Sequence, residues 1–424
     1  MRKVAVFLVL AAVLMACAPL PGQGIRHSLP ASVGMDAQRL ALVDSTVGAS
    51  IAAGDIPGAV VGVVRRDALV YEKAFGCKSL VPEKVPMTEE TMFDLASVSK
   101  CVSSTVAVMQ LIETGKVRLV DPVSYYIPEF LPWEDLETHE KVQITVQDLL
   151  THSSGLDPSL PDVPGFVREH GKNCPEALMH WIATEAGRNF RPRTQQLYSC
   201  LNFITLQNIL EKVTGERLCD YAQKHIFDVL GLRHTTYFPL YEGAPYRPGL
   251  VQLCAPTEVL EDGLVLQAEV HDPTARLCNG GNSGNAGVFS NVEDLAILSA
   301  CLLNGGSWNG HRILSPLTVQ QMFRIPENNA PEVARALGWD CYHLEPYTCG
   351  SIFNPRMVRG HTGYTGTSLI LDLETRTAVI ILSNRVHPTD SGSVARLRST
   401  VASIVASAIV QSHFTPRALL SPGS

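Results

Sequence analysis

The sequence predicts a mixed α/β (α+β) fold whose antiparallel sheet is assembled from both ends of the chain. β-branched runs at residues 59–64 and 68–74 form one hairpin pattern, and the runs at 368–373 and 377–383 form another. Between these pairs, from about residue 89 to about 305, the sequence changes to helical spacing and to loops rich in proline and glycine. This order indicates one sheet flanked by helices, with a mostly helical inserted subdomain.

The two ends of the chain also supply the helices expected to flank the sheet. Residues 36–53 carry apolar side chains at helical spacing, and Gly54 and Pro57 follow where such a helix would end. Residues 391–410 are rich in alanine, valine and isoleucine and form a predicted final helix. Both helices are therefore expected to pack against the sheet.

Three helices are predicted within the insert, at residues 97–114, 202–213 and 291–303. Gly115 follows the first of them, at the position after a helix end that favours glycine. The third opens on an asparagine with an acidic residue three positions later, which is close to a capping box. A cleft between the sheet and this insert is the natural place for a ligand.

Composition limits the class of protein. The 424 residues are 46% hydrophobic and 18% charged, which is typical of a globular enzyme and not of a disordered chain. The formal net charge is −7, and no basic run is present, so nucleic acid is not an expected partner. Residues 34–412 are long enough for one large domain or for two interleaved subdomains.

The N-terminus has the pattern of an export signal. Arg2 and Lys3 precede an unbroken apolar run at residues 4–15, too short to span a bilayer but typical of a signal peptide. The run ends in the sequence LMAC, which is similar to the bacterial lipobox, so residues 1–16 are interpreted as a signal peptide and Cys17 as a lipidation site. The alternative is an ordinary signal peptide cut near Ala16 or Ala18.

Lipidation of Cys17 would anchor the chain to a membrane. Residues 17–33 are then a lipidated tether, and residues 413–424 are a C-terminal tail. The expected location is the bacterial cell envelope, as an exported lipoprotein on the periplasmic or surface face.

The other ten cysteines could form disulfides in such a compartment, but their spacing leaves the pairing open. Cys341 and Cys349 are the only close pair with a loop-like segment between them. No group of cysteines and histidines has the spacing of metal ligands, so neither a metal nor a cofactor is expected.

One local pattern indicates nucleophilic catalysis. Ser97 and Lys100 are three positions apart at the start of a predicted helix, and no other lysine of the chain has a serine at that spacing. Residues i and i+3 of a helix are neighbours, so the amine can take the serine proton. Burial of the helix start is expected to lower the pKa of Lys100 towards that of a useful base.

The surroundings of this pair resemble the serine β-lactamase and penicillin-binding protein superfamily, in its class C-like branch. The similar stretches are residues 93–100 (FDLASVSK), 119–130 (LVDPVSYYIPEF), 144–156 (ITVQDLLTHSSGL), 284–290 (GNAGVFS), 361–368 (HTGYTGTS) and 383–388 (SNRVHP). The resemblance covers about residues 34–406. It implies the β-lactamase/transpeptidase-like fold.

The resemblance also implies further catalytic residues. The second motif of the family falls on Tyr198-Ser199-Cys200, which makes Tyr198 the general base or the proton relay to the leaving group. Cys200 departs from the family's asparagine or aspartate, and a thiol cannot supply their contacts to substrate. Ser97, Lys100 and Tyr198 are thus the expected catalytic residues, with Cys200 at a substrate-binding position.

The third motif falls on His361-Thr362-Gly363, in place of the lysine-containing form. The resemblance implies that Thr362 binds a substrate carboxylate and that Gly363 allows close approach to a strand edge. His361 is expected to carry positive charge part of the time near neutral pH. The backbone N–H groups of Ser97 and Tyr364 would form the oxyanion hole.

Four other polar residues in family-like stretches are interpreted as structural: His152, His271, Asp272 and Asn285.

The expected reaction is hydrolysis through an acyl-Ser97 intermediate. The resemblance favours a D-alanyl-D-alanine carboxypeptidase-like, penicillin-recognising enzyme that acts on a peptidoglycan peptide or another small molecule. An esterase or D-amino peptidase would use the same residues, and a β-lactamase fits less well because Cys200 and His361 both depart from its pattern. A non-catalytic envelope binding protein is the alternative from another class.

Overall fold

A computed structural model describes residues 24–241, 243, 247–342, 344 and 347–411. The predicted signal peptide at residues 1–16, the lipidation site at Cys17 and the tail at residues 413–424 lie outside the described residues.

Among the described residues, every β-strand longer than three residues belongs to the main sheet. The strands are β1 Arg26–His27, β2 Gly58–Arg65, β3 Ala68–Ser79, β4 Val85–Pro86, β5 Phe93–Asp94, β6 Trp133–Glu134, β7 Lys141–Val142, β8 Thr236–Tyr237, β9 Val288–Ser290, β10 Ser307–Trp308, β11 His311–Arg312, β12 Asp340–Cys341, β13 Val358–Thr362, β14 Ser368–Asp372 and β15 Thr377–Ser383.

The α-helices lie mostly between β5 and β12. They are α1 Ala37–Leu40, α2 Leu42–Ala52, α3 Val106–Glu113, α4 Val146–Leu150, α5 Val163–His170, α6 Pro175–Thr184, α7 Cys200–Thr214, α8 Leu218–Ala222, α9 Asp228–Leu230, α10 Pro248–Val251, α11 Val292–Leu303, α12 Pro316–Phe323 and α13 Ala395–Ser407.

The main sheet joins the two ends of the chain, as the sequence predicts. Its strand order is β1-β3-β2-β15-β14-β13-β12, and β4 pairs with β3. The central pair is β2 with β15, which run antiparallel with Val61 opposite Ile381. The pairing is antiparallel in the main sheet except between β1 and β3, which are parallel.

Each face of the sheet is covered by helices. One face packs on α2 and α13 and buries side chains such as Val61 and Val401. The other face packs on α11, through which the helical insert joins the sheet. Gly62 allows this close packing, because a Cβ atom there would collide with Val292 at the start of α11.

Two predicted helices differ from the observed ones. The segment predicted as one helix at 97–114 is a 3₁₀ turn at Ala96–Val98, a π-helix at Lys100–Thr105 and then α3. The wider π turn begins at Lys100, which is fully buried, and π segments of this kind are frequent at functional sites. The final helix begins at Ala395 and not at 391, since the preceding residues form a turn.

Over the described residues, no helix combines the length and the apolar character that crossing a membrane requires.

Candidate active site

A cavity of about 640 Å³ lies between the β13 end of the sheet and the helical insert. It brings together residues from all three of the predicted motifs. Those that line it include Ser97, Tyr198, His361, Thr362, Gly363 and Tyr364. The predicted cleft between sheet and insert is therefore present, and the serine opens into it.

Ser97 follows a strained and tightly bonded piece of backbone. Ala96 has a positive φ of 46°, and its N–H donates to Asp94 Oδ1 over 2.8 Å. The other oxygen of Asp94 accepts from the backbone N–H of His271 at 2.7 Å. Asp94 thus fixes a backbone conformation that a non-glycine residue rarely adopts, and this holds the Ser97 side chain towards the cavity.

Lys100 is completely buried and has three acceptors around its ammonium group. Lys100 Nζ lies 3.0 Å from Ser97 Oγ, 2.8 Å from the carbonyl oxygen of Asn285 and 3.6 Å from Cys200 Sγ. An ammonium group has three N–H donors, so these contacts can satisfy all of them. The predicted Ser97–Lys100 contact is present at hydrogen-bond distance.

The expected lowering of the Lys100 pKa is wrong in net direction. Burial is the largest influence and does lower the pKa of Lys100, as expected. The charges that Cys200 and Tyr198 carry when ionised act in the opposite sense, and the net pKa of Lys100 is raised. The lysine is therefore protonated in the resting site at neutral pH.

Tyr198 is the third member of this group. Lys100 Nζ lies 5.0 Å from the centre of the Tyr198 ring. The Tyr198 hydroxyl is buried and has no hydrogen bond of good geometry to any described residue. Burial raises the pKa of Tyr198, although Lys100 and Ser97 act to lower it, so the phenol is neutral at rest. The buried Tyr198 hydroxyl therefore lies beside Ser97 and Lys100 and keeps hydrogen-bonding capacity for a substrate.

His152 holds Tyr198 in place. The two rings pack against each other at a tilt, with centres 4.4 Å apart, and His152 Nδ1 accepts from the N–H of Ser199 at 3.0 Å. The side-chain nitrogen of Asn202 lies 3.1 Å from the same His152 nitrogen, and Asn202 Oδ1 accepts from Ser154. The side-chain amide of Asn202 is therefore engaged with His152 and Ser154. It does not take the place of the side chain that the family's asparagine would supply at position 200.

Cys200 contacts the lysine and is not among the residues that line the cavity. It is the first residue of α7 and is only partly buried. The sequence placed it at a substrate-binding position, whereas the observed contact is with Lys100. The unusual thiol thus contacts the amine that is predicted to be catalytic.

His361 is neutral, contrary to the expectation of a part-time positive charge. His361 Nδ1 lies 2.8 Å from the carbonyl oxygen of Thr362, to which it donates, and His361 Nε2 has no partner among the described residues. Burial lowers the pKa of His361 to about 4. This histidine therefore offers an acceptor nitrogen near neutral pH and no positive charge.

Gly363 is needed for a close approach within the protein itself. A Cβ atom at this position would collide with the backbone oxygen of Leu95 and the side chain of Thr367. The absence of a side chain lets the end of β13 lie directly against the segment that carries Ser97. The family-like glycine thus sets the distance between the first and third motifs.

Tyr364 forms an exposed wall of the cleft. Its hydroxyl donates to Asp390, and Arg385 lies over its ring at 4.7 Å. Its ring stacks on His271 with centres 5.8 Å apart. Ser97 and Tyr364 line the same cavity, and their role as the oxyanion hole stays a prediction.

Sequence reasoning missed the arginines of this cavity. Arg335 is 3% exposed, forms an ion pair with Asp340, and lies 5.4 Å from the centre of the Tyr198 ring. Two of its nitrogens, Nε and Nη2, have no partner in the described part of the chain. Arg398 donates to the carbonyl oxygens of Gly363 and Thr367 at 2.9 and 2.7 Å. No motif marks either arginine, because neither lies near Ser97 in the sequence.

Within the described ranges, no group of three histidine, cysteine, aspartate or glutamate side chains has the geometry to hold a metal ion.

Comparison with known proteins agrees with this geometry. Residues 43–402 match the model of the family described as Beta-lactamase. The chain belongs to this family. It is a serine hydrolase of the β-lactamase and penicillin-binding protein type, and its mixed fold is that of the family.

Curated relatives carry a more specific name. A Salmonella gallinarum protein named "Putative D-alanyl-D-alanine carboxypeptidase" is 32% identical over 384 residues, which is 84% of this chain and 85% of the relative. A protein of the same name from Escherichia coli strain K12 is 29% identical over 412 residues, 91% of this chain and 92% of the relative.

Solved structures share the fold. The hydrolase EstCE1, described as having promiscuous acyltransferase activity, superimposes with a TM-score of 0.68 at 24% identity, covering 87% of this chain and 99% of that protein. A penicillin-binding protein homologue from Pyrococcus abyssi gives a TM-score of 0.61 at 21% identity, covering 86% of this chain and 75% of the homologue.

Proposed function

We propose that this protein is a D-alanyl-D-alanine carboxypeptidase-like enzyme that recognises penicillins and works through an acyl-Ser97 intermediate. The names of the relatives support this substrate class. Ser97 and Tyr198 line one cavity and Lys100 contacts both of them from the buried side, which supports the reaction type. Ser97 Oγ attacks the peptide carbonyl, the terminal D-alanine leaves, and water then releases the acyl group.

Lys100 and Tyr198 handle the serine proton as one unit. Lys100 Nζ is in direct hydrogen-bond contact with Ser97 Oγ, and both Lys100 and Tyr198 are protonated at rest. Loss of one proton from this pair creates the base that activates the serine. The Tyr198 hydroxyl, which lies beside Lys100 and Ser97, then supplies the proton that the leaving amine requires.

The observation that carries the proposed substrate is the unused hydrogen-bonding capacity of Arg335. A buried guanidinium group with two unpartnered nitrogens is costly unless an anion occupies the site in use. A carboxylate accepts two parallel N–H bonds from such a group. The terminal carboxylate of a D-alanyl-D-alanine peptide supplies this anion, and Thr362 lines the same cavity.

A second candidate function is ester hydrolysis. It is favoured by an apolar rim around the same cavity, where Leu344, Tyr347 and Tyr364 are 54%, 54% and 57% exposed. An apolar acyl or alcohol group could bind such a rim without an ionic contact. The buried arginine has no use in that reaction, so the peptidase is the better fit.

A paired substrate panel tests the proposal. Release of D-alanine from a muropeptide ending in D-alanyl-D-alanine is compared with release from the same peptide carrying a C-terminal amide. A p-nitrophenyl ester and nitrocefin are included, and Ser97→Ala is the control throughout. Preference for the free carboxylate supports the proposal, whereas turnover of the ester alone replaces it with the esterase.

The same proposal includes the location of the protein. The apolar run at residues 4–15 and the LMAC sequence support an exported lipoprotein, anchored by acyl chains on Cys17 in the bacterial cell envelope with the membrane as its partner. Cys17→Ser is expected to move the protein from the membrane fraction to the soluble fraction, while Cys77→Ser leaves it anchored. Continued anchoring of Cys17→Ser would overturn the lipoprotein assignment.

A further inference from the structure

Two distant segments of the insert run side by side at Cys174 and Cys278. The backbone N–H of Asn173 donates to Leu277 O at 2.7 Å, and that of Cys174 donates to Cys278 O at 2.8 Å. Gly280 allows the close approach, because a Cβ atom there would collide with the Asn173 side chain. The two backbones are thus fixed relative to each other at the two cysteines.

Each thiol affects the pKa of the other, which indicates that the two side chains lie near each other. Both are free thiols in the structure, with Cys174 half-buried and Cys278 buried. Burial raises the pKa of Cys174, and burial together with the neighbouring Cys174 raises the pKa of Cys278 to about 12. Cys301 differs, because burial alone raises its pKa and no other thiol contributes.

We propose that Cys174 and Cys278 form a disulfide bond when the protein meets a disulfide oxidant. The accessible Cys174 thiolate attacks the S–S bond of the oxidant, such as glutathione disulfide, and releases one thiol. The Cys278 thiolate then attacks the mixed disulfide at Cys174 and releases the second thiol. The two protons and two electrons lost by the cysteines are carried away by the two thiols formed from the oxidant.

The backbone contact makes the bond feasible without rearrangement. Two cysteines can be bridged only when their Cα atoms are close and their side chains face each other. The backbone hydrogen bond from Cys174 to Cys278 meets the first condition, and the mutual influence of the two thiols on their pKa values indicates that the side chains lie near each other. Oxidation therefore requires side-chain rotation and no movement of the backbone.

The bond would brace the loop that holds the catalytic lysine. Cys278 ends the π-helix Thr274–Cys278, and the loop 279–285 follows it. Asn279 Nδ2 donates to Ser283 Oγ, Ser283 Oγ donates to Asn285 Oδ1, and the Asn285 carbonyl oxygen accepts from Lys100. A disulfide at Cys278 would tie the beginning of this series of hydrogen bonds to Cys174, the residue that precedes α6.

The cross-link also closes a loop of about a hundred residues in the unfolded chain. A closure of this length restricts the unfolded state and raises the melting temperature, by roughly 3–8 °C for a protein of this size. This gain is independent of the reaction that the enzyme catalyses.

Non-reducing peptide mapping tests the proposal on the full-length protein. After equilibration with glutathione disulfide, mass spectrometry is expected to find peptides containing Cys174 and Cys278 linked, with the loss of two hydrogens. The melting temperature rises on oxidation and falls again with dithiothreitol. Cys174→Ala removes both effects, while Cys301→Ser, which lacks a thiol neighbour, retains them.

Three results would overturn the proposal: a stable glutathione adduct on Cys174 without ring closure, linkage of either cysteine to a third one, or alkylation of both thiols after oxidation. If Cys174→Ala fails to fold, alkylation of the wild-type protein before and after oxidation tests the same point: both thiols should be alkylated before oxidation and protected after it. None of these readouts uses enzymatic activity, so failure of the proposed peptidase function leaves the test intact.

Discussion

The Cys200 thiol lies 3.6 Å from Lys100 Nζ and supplies one of the three acceptors around the buried ammonium group. Sulfur is a weaker acceptor than the oxygen of an amide. The lysine is therefore held mainly by the Asn285 carbonyl oxygen and by the nucleophile itself. Cys200, the residue that departs from the family's second motif, thus contacts Lys100, the proposed proton-transfer group. Replacing Cys200 should therefore change the rate of acylation.

Replacing Cys200 tests this relationship. Cys200→Ala removes one acceptor of a charged group, a loss of about 1–2 kcal/mol, so the acylation rate is expected to fall by roughly five- to thirtyfold. Cys200→Ser restores an acceptor and is expected to recover most of the rate. Stopped-flow measurement with a fluorescent penicillin checks both variants. Equal rates for Cys200→Ala and the wild type would show that the thiol does not position Lys100.

Tyr198→Phe separates catalysis from stability. The Tyr198 hydroxyl lies beside Lys100 and Ser97 but makes no hydrogen bond of good geometry to a described residue, so its removal should change the free energy of unfolding by at most about 1 kcal/mol. The loss of proton transfer to the leaving group should lower kcat by about 10²–10⁴. Urea unfolding and D-alanine release measure the two effects. A variant that loses stability and keeps its activity would contradict the assigned role.

Lys100→Ala is expected to lose acylation by about 10²–10⁴, because Lys100 is the group in contact with Ser97 Oγ. Labelling by a fluorophosphonate probe measures this directly, and Ser97→Ala sets the background. Circular dichroism checks that the cavity left by the buried side chain has not unfolded the protein. Unchanged labelling in a folded variant would remove Lys100 from the mechanism.

The substitution Arg335→Gln should impair the turnover of substrates that have a free carboxylate. Loss of a bidentate charged contact is expected to lower kcat/KM for such peptides by about 10–100-fold. Turnover of a neutral p-nitrophenyl ester is the internal control, because it makes no ionic contact and reports any damage from leaving Asp340 unpaired. Equal losses for both substrates would mean that Arg335 supports the fold and does not bind the carboxylate.

The neutral His361 makes stability depend on acidity. Its pKa is about 4 in the folded protein and about 6.5 in an unfolded chain, so the unfolded state binds more protons between these values. The free energy of unfolding should therefore fall by about 3 kcal/mol as the pH is lowered from 7 to 4. His152, whose pKa burial also lowers, adds to the same trend.

Urea unfolding of the wild type and of His361→Gln at pH 7 and pH 4.5 measures this dependence. The variant should lose less stability on acidification than the wild type does. An identical pH dependence in the two proteins would show that folding does not lower the pKa of His361.

The sheet and the catalytic pair could be predicted because their signals are local. The hairpin of β14 and β15 is visible as two apolar runs with a polar turn, and it was placed within one residue. Ser97 and Lys100 are separated by one helical turn, so their contact follows from geometry alone. Tyr198 required the resemblance to a known family, since nothing nearby in the sequence marks it.

The electrostatics of the site could not be predicted because they depend on long-range contacts. The pKa of Lys100 is raised through Cys200 and Tyr198, which lie about a hundred residues away in the sequence. Arg335 meets Tyr198 only after the sheet and the insert have packed together. The π-helix at Lys100–Thr105 likewise has no sequence signature and follows from packing.

The pairing of β2 with β15 has a consequence for synthesis of the chain. Arg65 and Thr377 are 312 positions apart, yet they meet at the centre of the sheet. During synthesis, β2 can pair with β3 as soon as both strands have left the ribosome. The other edge of β2 stays unpaired until β15 has also been synthesised, near the end of the chain. Truncation before β15 removes the strand that seals this edge, so shortened products should aggregate rather than persist as partial domains.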